Sequence, residues 1–153
     1  MKIKDLTPET RAHYIERIRR ITEASDRRWG TLTPAQMFDH LSRTIESSIG
    51  DRPVDGNGVL LFKVAKRIVL SGVAPFPPNV LKTPPVFEPN GTGTVSTERD
   101  RLEALIDRFL EARERNPKRA PMNPLFGPMT MKQWGRLHGL HLNHHLAQFG
   151  VKG

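Results

Sequence analysis

Three stretches of the chain begin with a helix-start signal built on threonine, and this repetition constrains the fold more than any other feature. The signals start at Thr7, Thr33 and Thr130. The second and third carry glutamine three residues later, which forms a capping box that satisfies free amides at the start of a helix. The first two carry proline at the first helical position. Apolar residues then recur at a spacing of three and four residues, which is typical of amphipathic helices.

This pattern predicts four long helices, over about 7–25, 33–50, 97–115 and 130–150. A shorter helix is expected over 58–70, between the second and third, and a proline-rich insert follows it. A second irregular stretch precedes the last helix, and no strand alternation of useful length is present. With 153 residues and no linker, the chain is expected to form a single domain over 1–153. The sequence therefore predicts an all-α four-helix bundle with a long insert between helices two and three.

The composition excludes several kinds of chemistry. Cysteine is absent, which excludes disulfides, thiolate metal ligands and a cysteine nucleophile, so any thiol must come from outside the chain. The longest apolar run is interrupted by charges and is too short to span a bilayer, and no signal segment is visible at the N-terminus. We therefore expect a cytoplasmic protein without membrane contact. The net charge of +8 is spread along the chain without interleaved aromatic residues, which favours a solvated basic surface over binding of a nucleic-acid phosphate backbone or of an anionic small ligand.

Four of the six histidines fall within eight consecutive positions of the last helix. On a helical wheel, His138, His141 and His145 occupy the middle of the apolar stripe, which Trp134 and Gln148 share. Several buried imidazoles are unfavourable unless hydrogen bonds or a metal ion satisfy them. His141 and His145 are four residues apart, so their rings can bind one cation.

His40, at the edge of the buried face of the second helix, is the candidate third ligand, because bundles build metal sites from facing side chains. His138 competes for the same role on angular grounds. Three imidazoles leave an open coordination position, where a bound water or thiol would become the nucleophile. No Asp or Glu stands out as a general base, which favours thiol transfer over hydrolysis. Gln148, one turn beyond His145, either orients a substrate or a water or makes a contact at the helix C-terminus.

These residues resemble the DinB/YfiT-like superfamily of metal-dependent hydrolases and thiol transferases, which carries a histidine in helix two and H-x-x-H-H in the last helix. Here these are His40 and "HLNHH" at 141–145. One branch, a domain of unknown function, is more similar still, since "WGTLTPAQMFDHL", "FGPMTMKQW" and "HLNHHLAQFG" match its two motifs. That branch has His-Pro before the Phe-Gly, where this chain has Asn123-Pro124, and the role of this position stays open.

The resemblance implies an antiparallel bundle with up-down-down-up connections and a divalent metal on His40, His141 and His145. We expect Zn or Ni. Characterised relatives include transferases and isomerases that use low-molecular-weight thiols, and many relatives are homodimers. We therefore expect a metal-dependent enzyme that acts on a small molecule, either a thiol-dependent transferase or a hydrolase. A non-catalytic metal-binding or interaction bundle is the alternative function, and a basic nucleic-acid-binding protein is the third.

The proline-rich insert, residues 73–89, is expected to form a wall of the pocket. Its prolines restrict the backbone, and Phe76 and Phe87 can bury apolar area against the bundle. We expect at least one of Phe76, Pro77 and Phe87 to line the pocket that leads to the metal, together with Trp134. The alternative is a loop that only covers exposed core.

Overall fold

The computed structural model describes residues 4–54, 61–73 and 82–153, and at 61–63 only the backbone is described. Within these residues the chain forms five α-helices, two 3-10 helices and a two-stranded sheet. The α-helices are α1 Arg11–Arg19, α2 Pro34–Ile49, α3 Leu61–Ser71, α4 Val95–Arg115 and α5 Met131–Gln148. The 3-10 helices are Pro8–Thr10 and Pro85–Phe87, and the strands are β1 Met122–Asn123 and β2 Gly127–Pro128. The fold is therefore mostly helical, as predicted.

Threonine capping boxes start α2 and α5. At α2, Gln36 N donates to Thr33 Oγ1 over 3.2 Å, and Thr33 N donates to Gln36 Oε1 over 3.0 Å. The same reciprocal pair joins Thr130 and Gln133 at α5. Each box satisfies two amides that the helix cannot bond internally, and such a cap stabilises a helix by about 1 kcal/mol. These two helices therefore start where the sequence predicts.

The start of α4 and the end of α1 differ from the prediction. Helix α4 begins two residues before the predicted Thr97, because Thr94 pairs with Thr97 in a further capping box that contains no glutamine. Helix α1 ends at Arg19 and not near Ser25. The next two amides bond to carbonyls three residues back, and a hydrogen-bonded turn follows at 22–25. This tightening closes the helix early.

A short β-hairpin lies in the irregular stretch between α4 and α5, where the sequence predicts no strand. It pairs Met122 with Pro128 and Asn123 with Gly127. Gly127 has φ 71°, a left-handed conformation that favours glycine and closes the tight connection. Strands of two residues are too short to show an alternating pattern in a sequence. The structure is therefore consistent with the predicted all-α class and adds this one small sheet to it.

The short helix predicted before the insert is present as α3. It contacts α5, and Lys66 Nζ donates to Pro128 O over 2.8 Å. Of the proline-rich insert, residues 73 and 82–89 are described, and the 3-10 helix Pro85–Phe87 within it contacts α2. None of the described helices is long and apolar enough to cross a membrane.

The helices pack around one cluster of buried apolar side chains. Helix α2 packs most extensively against α4 and also contacts α5, while α1 contacts both α4 and α5. The largest fully buried side chains are Trp134, Tyr14, Phe38 and Phe109. Full burial of a phenylalanine stabilises a fold by roughly 1.5–3 kcal/mol, because apolar surface leaves water. This packing holds α2 and α5 together, and these are the helices that carry the candidate ligands.

Candidate metal centre

The three histidines that the sequence predicts as ligands lie together between α2 and α5. His40 is in the first half of α2, and His141 and His145 occupy successive turns of α5. His40 Nε2 lies 2.9 Å from His141 Nε2, which lies 3.0 Å from His145 Nε2. The ligand atoms of all three are within 4.8 Å of one another, which is close enough to bind one metal ion. We call these three residues the histidine cluster.

A backbone carbonyl orients the first of these rings. His40 Nδ1 lies 2.8 Å from the carbonyl oxygen of Phe87. A carbonyl oxygen only accepts, so Nδ1 carries the proton and Nε2 presents a lone pair to the cluster. A bond of this kind fixes both the tautomer and the orientation of a ligating imidazole.

Gln148 orients His145 in the same way. Its Nε2 donates to the carbonyl oxygen of Trp29 over 2.8 Å, so Oε1 is the atom that meets His145 Nδ1, 3.0 Å away. His145 Nδ1 therefore donates, and its Nε2 also presents a lone pair to the cluster. Gln148 thus holds a candidate ligand and also ties the last turn of α5 to the segment before α2.

Burial keeps the cluster neutral. It lowers the pKa of His145 from 6.5 to about 3, and it lowers the pKa of His40 and His141 in the same direction. Lone pairs on His40 and His145 both face His141 Nε2, which can donate one proton to one of them at most. The other lone pair is left without a donor, and a bound cation would satisfy it.

Two of the three nitrogen separations in the cluster are close to those of a tetrahedral site. With metal–nitrogen distances of about 2.0–2.1 Å, two ligand nitrogens of a tetrahedral site lie about 3.3–3.4 Å apart. The observed separations of 2.9 and 3.0 Å are a few tenths of an ångström shorter. Three protein ligands leave a coordination position open, which is the arrangement of catalytic zinc sites and not of structural ones.

A cavity of about 240 Å³ lies beside the cluster, and all three histidines line it. The wall also contains Leu32, Phe87, Asn123 and Phe126. Its described residues include one ammonium group, that of Lys82, and no carboxylate. Apolar atoms make up most of the surface of this wall, as is typical of ligand pockets, and pockets for drug-sized ligands measure about 300–1,000 Å³. This cavity therefore suits a smaller molecule.

The predicted pocket residues are placed differently from one another. Phe87 is 4% exposed and lies in the cavity wall. Trp134 is fully buried in the core, where its Nε1 donates to Pro121 O over 3.1 Å, and it is absent from the described cavity wall. Phe76 and Pro77 lie outside the described residues. The structure therefore brings Phe87 to the cavity and leaves Trp134 in the core.

The alternative ligand His138 does not join the cluster. Its Nε2 lies 2.9 Å from Ser48 Oγ, and its ring stacks on Trp134 and meets Phe109 edge-on, with centroids 5.3 and 4.7 Å away. A protein hydroxyl therefore satisfies Nε2 of this imidazole. His144 is half-buried beside the cavity, and it too lies outside the group that could hold a metal.

Asp39 supports the site in a way that the sequence does not reveal. It is 2% exposed, and its carboxylate accepts from Arg43 Nε over 2.9 Å, from Arg101 over 2.8 Å and from Asn90 N over 2.9 Å. Burial raises the pKa of Asp39, but these donors outweigh it and hold the pKa below its usual value. The bond to Asn90 anchors the segment that presents the Phe87 carbonyl. Arg101 is 62 residues away, so spacing could have indicated only Arg43.

The chain is therefore a mostly helical protein with a candidate metal centre. This centre consists of three imidazoles that converge from two helices beside a cavity. Over residues 1–152 the sequence matches DUF1569, described as a protein family of unknown function, and the chain belongs to this family. No curated protein and no solved structure matches it. The match agrees with the resemblance to a domain of unknown function, whereas the wider DinB/YfiT-like assignment stays a prediction.

Proposed function

We propose that this protein is a divalent-metal-dependent enzyme for a small molecule, with the antiparallel up-down-down-up bundle of the DinB/YfiT-like superfamily. One observation carries the proposal. The Nε2 atoms of the histidine cluster converge beside a cavity, while Phe87 O and Gln148 Oε1 hold two of the rings from the opposite side. Catalytic zinc sites combine three oriented ligands with an open position in this way.

The residues of the chain set what such a site can do. Because the three imidazoles are neutral, they would leave the double positive charge of Zn or Ni uncompensated. When bound, either ion would supply a Lewis acid that deprotonates a thiol outright or lowers the pKa of a water. The apolar part of the cavity wall limits the access of bulk water to a reacting group.

Thiol transfer fits this cavity better than hydrolysis does. The described wall contains no carboxylate that could act as a general base toward a water. Asp39, the neighbour of His40 in the sequence, is engaged by Arg43 and Arg101 and is not part of the wall. Since the chain has no cysteine, the thiol would be a separate small molecule. We therefore propose a thiol-dependent S-transferase with a low-molecular-weight thiol as its co-substrate.

Metal content tests the ligand assignment. Untagged protein is expected to hold about one equivalent of zinc or nickel by elemental analysis, and His141→Ala is expected to lose it because two ligands remain. His144→Ala is the matched control, since it removes a neighbouring imidazole of α5 that is not in the cluster and should retain the metal. A full metal stoichiometry in His141→Ala would contradict the assignment.

Activity is tested by a screen for thiol transfer to small electrophiles. Metal-loaded protein is expected to consume a low-molecular-weight thiol, and chelator-treated protein and His141→Ala are expected not to. Two observations together would favour the alternative function. If the protein holds no ion at a near-equimolar level and chelation leaves its thermal unfolding temperature unchanged, a non-catalytic interaction protein is the better description.

A further inference from the structure

Asn123 is a buried polar residue of the cavity wall to which the proposed reaction gives no role. It is the last residue of β1, in the hairpin between α4 and α5, and it is 2% exposed. It lines the same cavity as the histidine cluster. A buried asparagine needs partners for both ends of its carboxamide, so the partners of each end decide what it can do.

Two backbone amides fix the orientation of this carboxamide. Leu125 N and Phe126 N donate to Asn123 Oδ1 over 2.8 and 3.1 Å, so the oxygen lies on their side and Nδ2 on the other. No hydrogen bond in the described part of the chain uses Nδ2. The fully buried side-chain atoms that lack a partner there are Arg17 Nε and Ser42 Oγ, so Asn123 Nδ2 keeps an accessible surface.

The rest of the wall leaves this donor for a ligand. Thr44 Oγ1 donates to His40 O over 3.1 Å, and both ends of the Gln148 amide are bonded. Lys82 adds positive charge, and the described wall residues add no carboxylate. An enclosed amide donor without a partner is unfavourable, and an acceptor on a ligand would satisfy it. The cavity is therefore complementary to an oxygen acceptor or an anion.

We propose that Asn123 binds the substrate, and that its Nδ2 hydrogens donate to a carboxylate or carbonyl oxygen of a small molecule in the cavity. The volume of about 240 Å³ corresponds to about eight waters. Leu125, Phe126 and Leu137 in the wall suit a short hydrocarbon part. The substrate class is a small carboxylic acid or carbonyl compound. This inference rests on the proposed function only in taking the cavity as the substrate site.

Propionate and propylamine are matched probes, because they are similar in size and opposite in charge. Each is titrated into ¹⁵N-labelled, zinc-loaded protein, and the side-chain amide signals are followed by NMR. Propionate is expected to bind saturably and to shift the Asn123 signal. The Asn143 amide, whose Nδ2 already donates to Tyr14 and Gly139, is the internal control. An Asn123 signal that stays in place at saturation overturns the proposal.

The variant Asn123→Asp separates recognition from folding. Aspartate keeps an oxygen acceptor for Leu125 N and Phe126 N and replaces the Nδ2 donor with a negative oxygen. Propionate affinity is expected to fall by about tenfold or more, and propylamine affinity is expected to rise. Unchanged propionate affinity in the folded variant overturns the proposal, as does equal binding of both probes to the wild type. If the variant does not fold, the wild-type titration decides alone.

The zinc content of each sample separates this inference from the proposed function. If the protein takes up no zinc but binds propionate through Asn123, the proposal of a metal-dependent enzyme is wrong, and the proposal that Asn123 binds a ligand is retained. If zinc is bound at full stoichiometry and the Asn123 signal does not respond to propionate, the metal centre remains and the role of Asn123 is wrong.

Discussion

His138 and His145 lie two turns apart on α5 and are 2% and 8% exposed, yet they have different surroundings. His138 meets a hydroxyl, Ser48 Oγ, and lies between aromatic rings. His145 meets two further imidazoles and a cavity. Ser48 and His40 both belong to α2, so one helix contact gives one histidine a hydrogen-bond partner and the other a set of potential ligands.

The comparison shows that the position of a histidine on a helix face does not decide its role. Ser48 Oγ donates its proton to Ile45 O over 2.7 Å, so it accepts from His138 Nε2, which carries the ring proton. A neutral imidazole offers one donor and one acceptor, and in the cluster the donors of His40 and His145 already point away. The lone pairs that remain can be satisfied together by a cation, and this makes the cluster a candidate metal centre.

The largest effect is expected from His40→Ala. Loss of a residue that hydrogen-bonds a metal ligand lowers metal affinity by roughly 10–100-fold. His40→Ala removes a ligand itself, so it should lower zinc affinity by more than this. In a competition titration with a chromophoric chelator, His138→Gln should change the affinity by less than about threefold, because Ser48 and not a metal meets this ring. Equal losses in both variants would remove the distinction between the two histidines.

Gln148→Met should give the next largest effect. It keeps the volume of the side chain but leaves His145 Nδ1 without its acceptor, so zinc affinity should fall by roughly 10–100-fold. Gln133→Met is a suitable control, since Gln133 caps the opposite end of α5 and should alter thermal stability with the zinc affinity unchanged. A Gln148 variant that binds zinc like the wild type would show that this bond does not orient His145.

Acid sensitivity gives a smaller effect and tests His138 directly. Burial lowers the pKa of His138 from 6.5 to about 3. Below pH 6.5 this imidazole therefore binds a proton in the unfolded chain but not in the folded chain. The contribution of His138 to the free energy of unfolding is therefore fully present above pH 6.5. It declines toward pH 3 by about 1.4 kcal/mol per pH unit. In chelator-treated protein, denaturant unfolding should show this slope reduced in His138→Gln. Identical slopes would mean that His138 titrates normally.

Features of the fold that depend on neighbouring residues could be predicted. The threonine–glutamine boxes at Thr33 and Thr130 fix the starts of α2 and α5, because both partners lie within one helical turn. The early end of α1 and the two-residue strands depend on contacts and turns that carry no periodic signal. The box at Thr94 is equally local, but its partner Thr97 is a threonine, and the sequence pattern of threonine followed by glutamine therefore does not detect it.

The candidate site was predictable to the same extent. Spacing indicates His141 and His145, because ligands four residues apart share a helix face. It could not separate His145 from His138, whose partner Ser48 is 90 residues away. The bond from Gln148 to Trp29 spans 119 residues, and the role of that glutamine therefore needed the tertiary structure. Helical angle predicts which side chains face the core, and it does not predict what they meet there.

Zinc-edge X-ray absorption of the zinc-loaded protein tests the central claim most directly. The scattering of imidazole rings counts the histidines that hold the ion. The expected result is three imidazole nitrogens at about 2.0–2.1 Å with one further light ligand, and two imidazoles in His141→Ala if any zinc remains. One or no imidazole in the wild type would contradict a metal centre on His40, His141 and His145, and four would place a further histidine among the ligands.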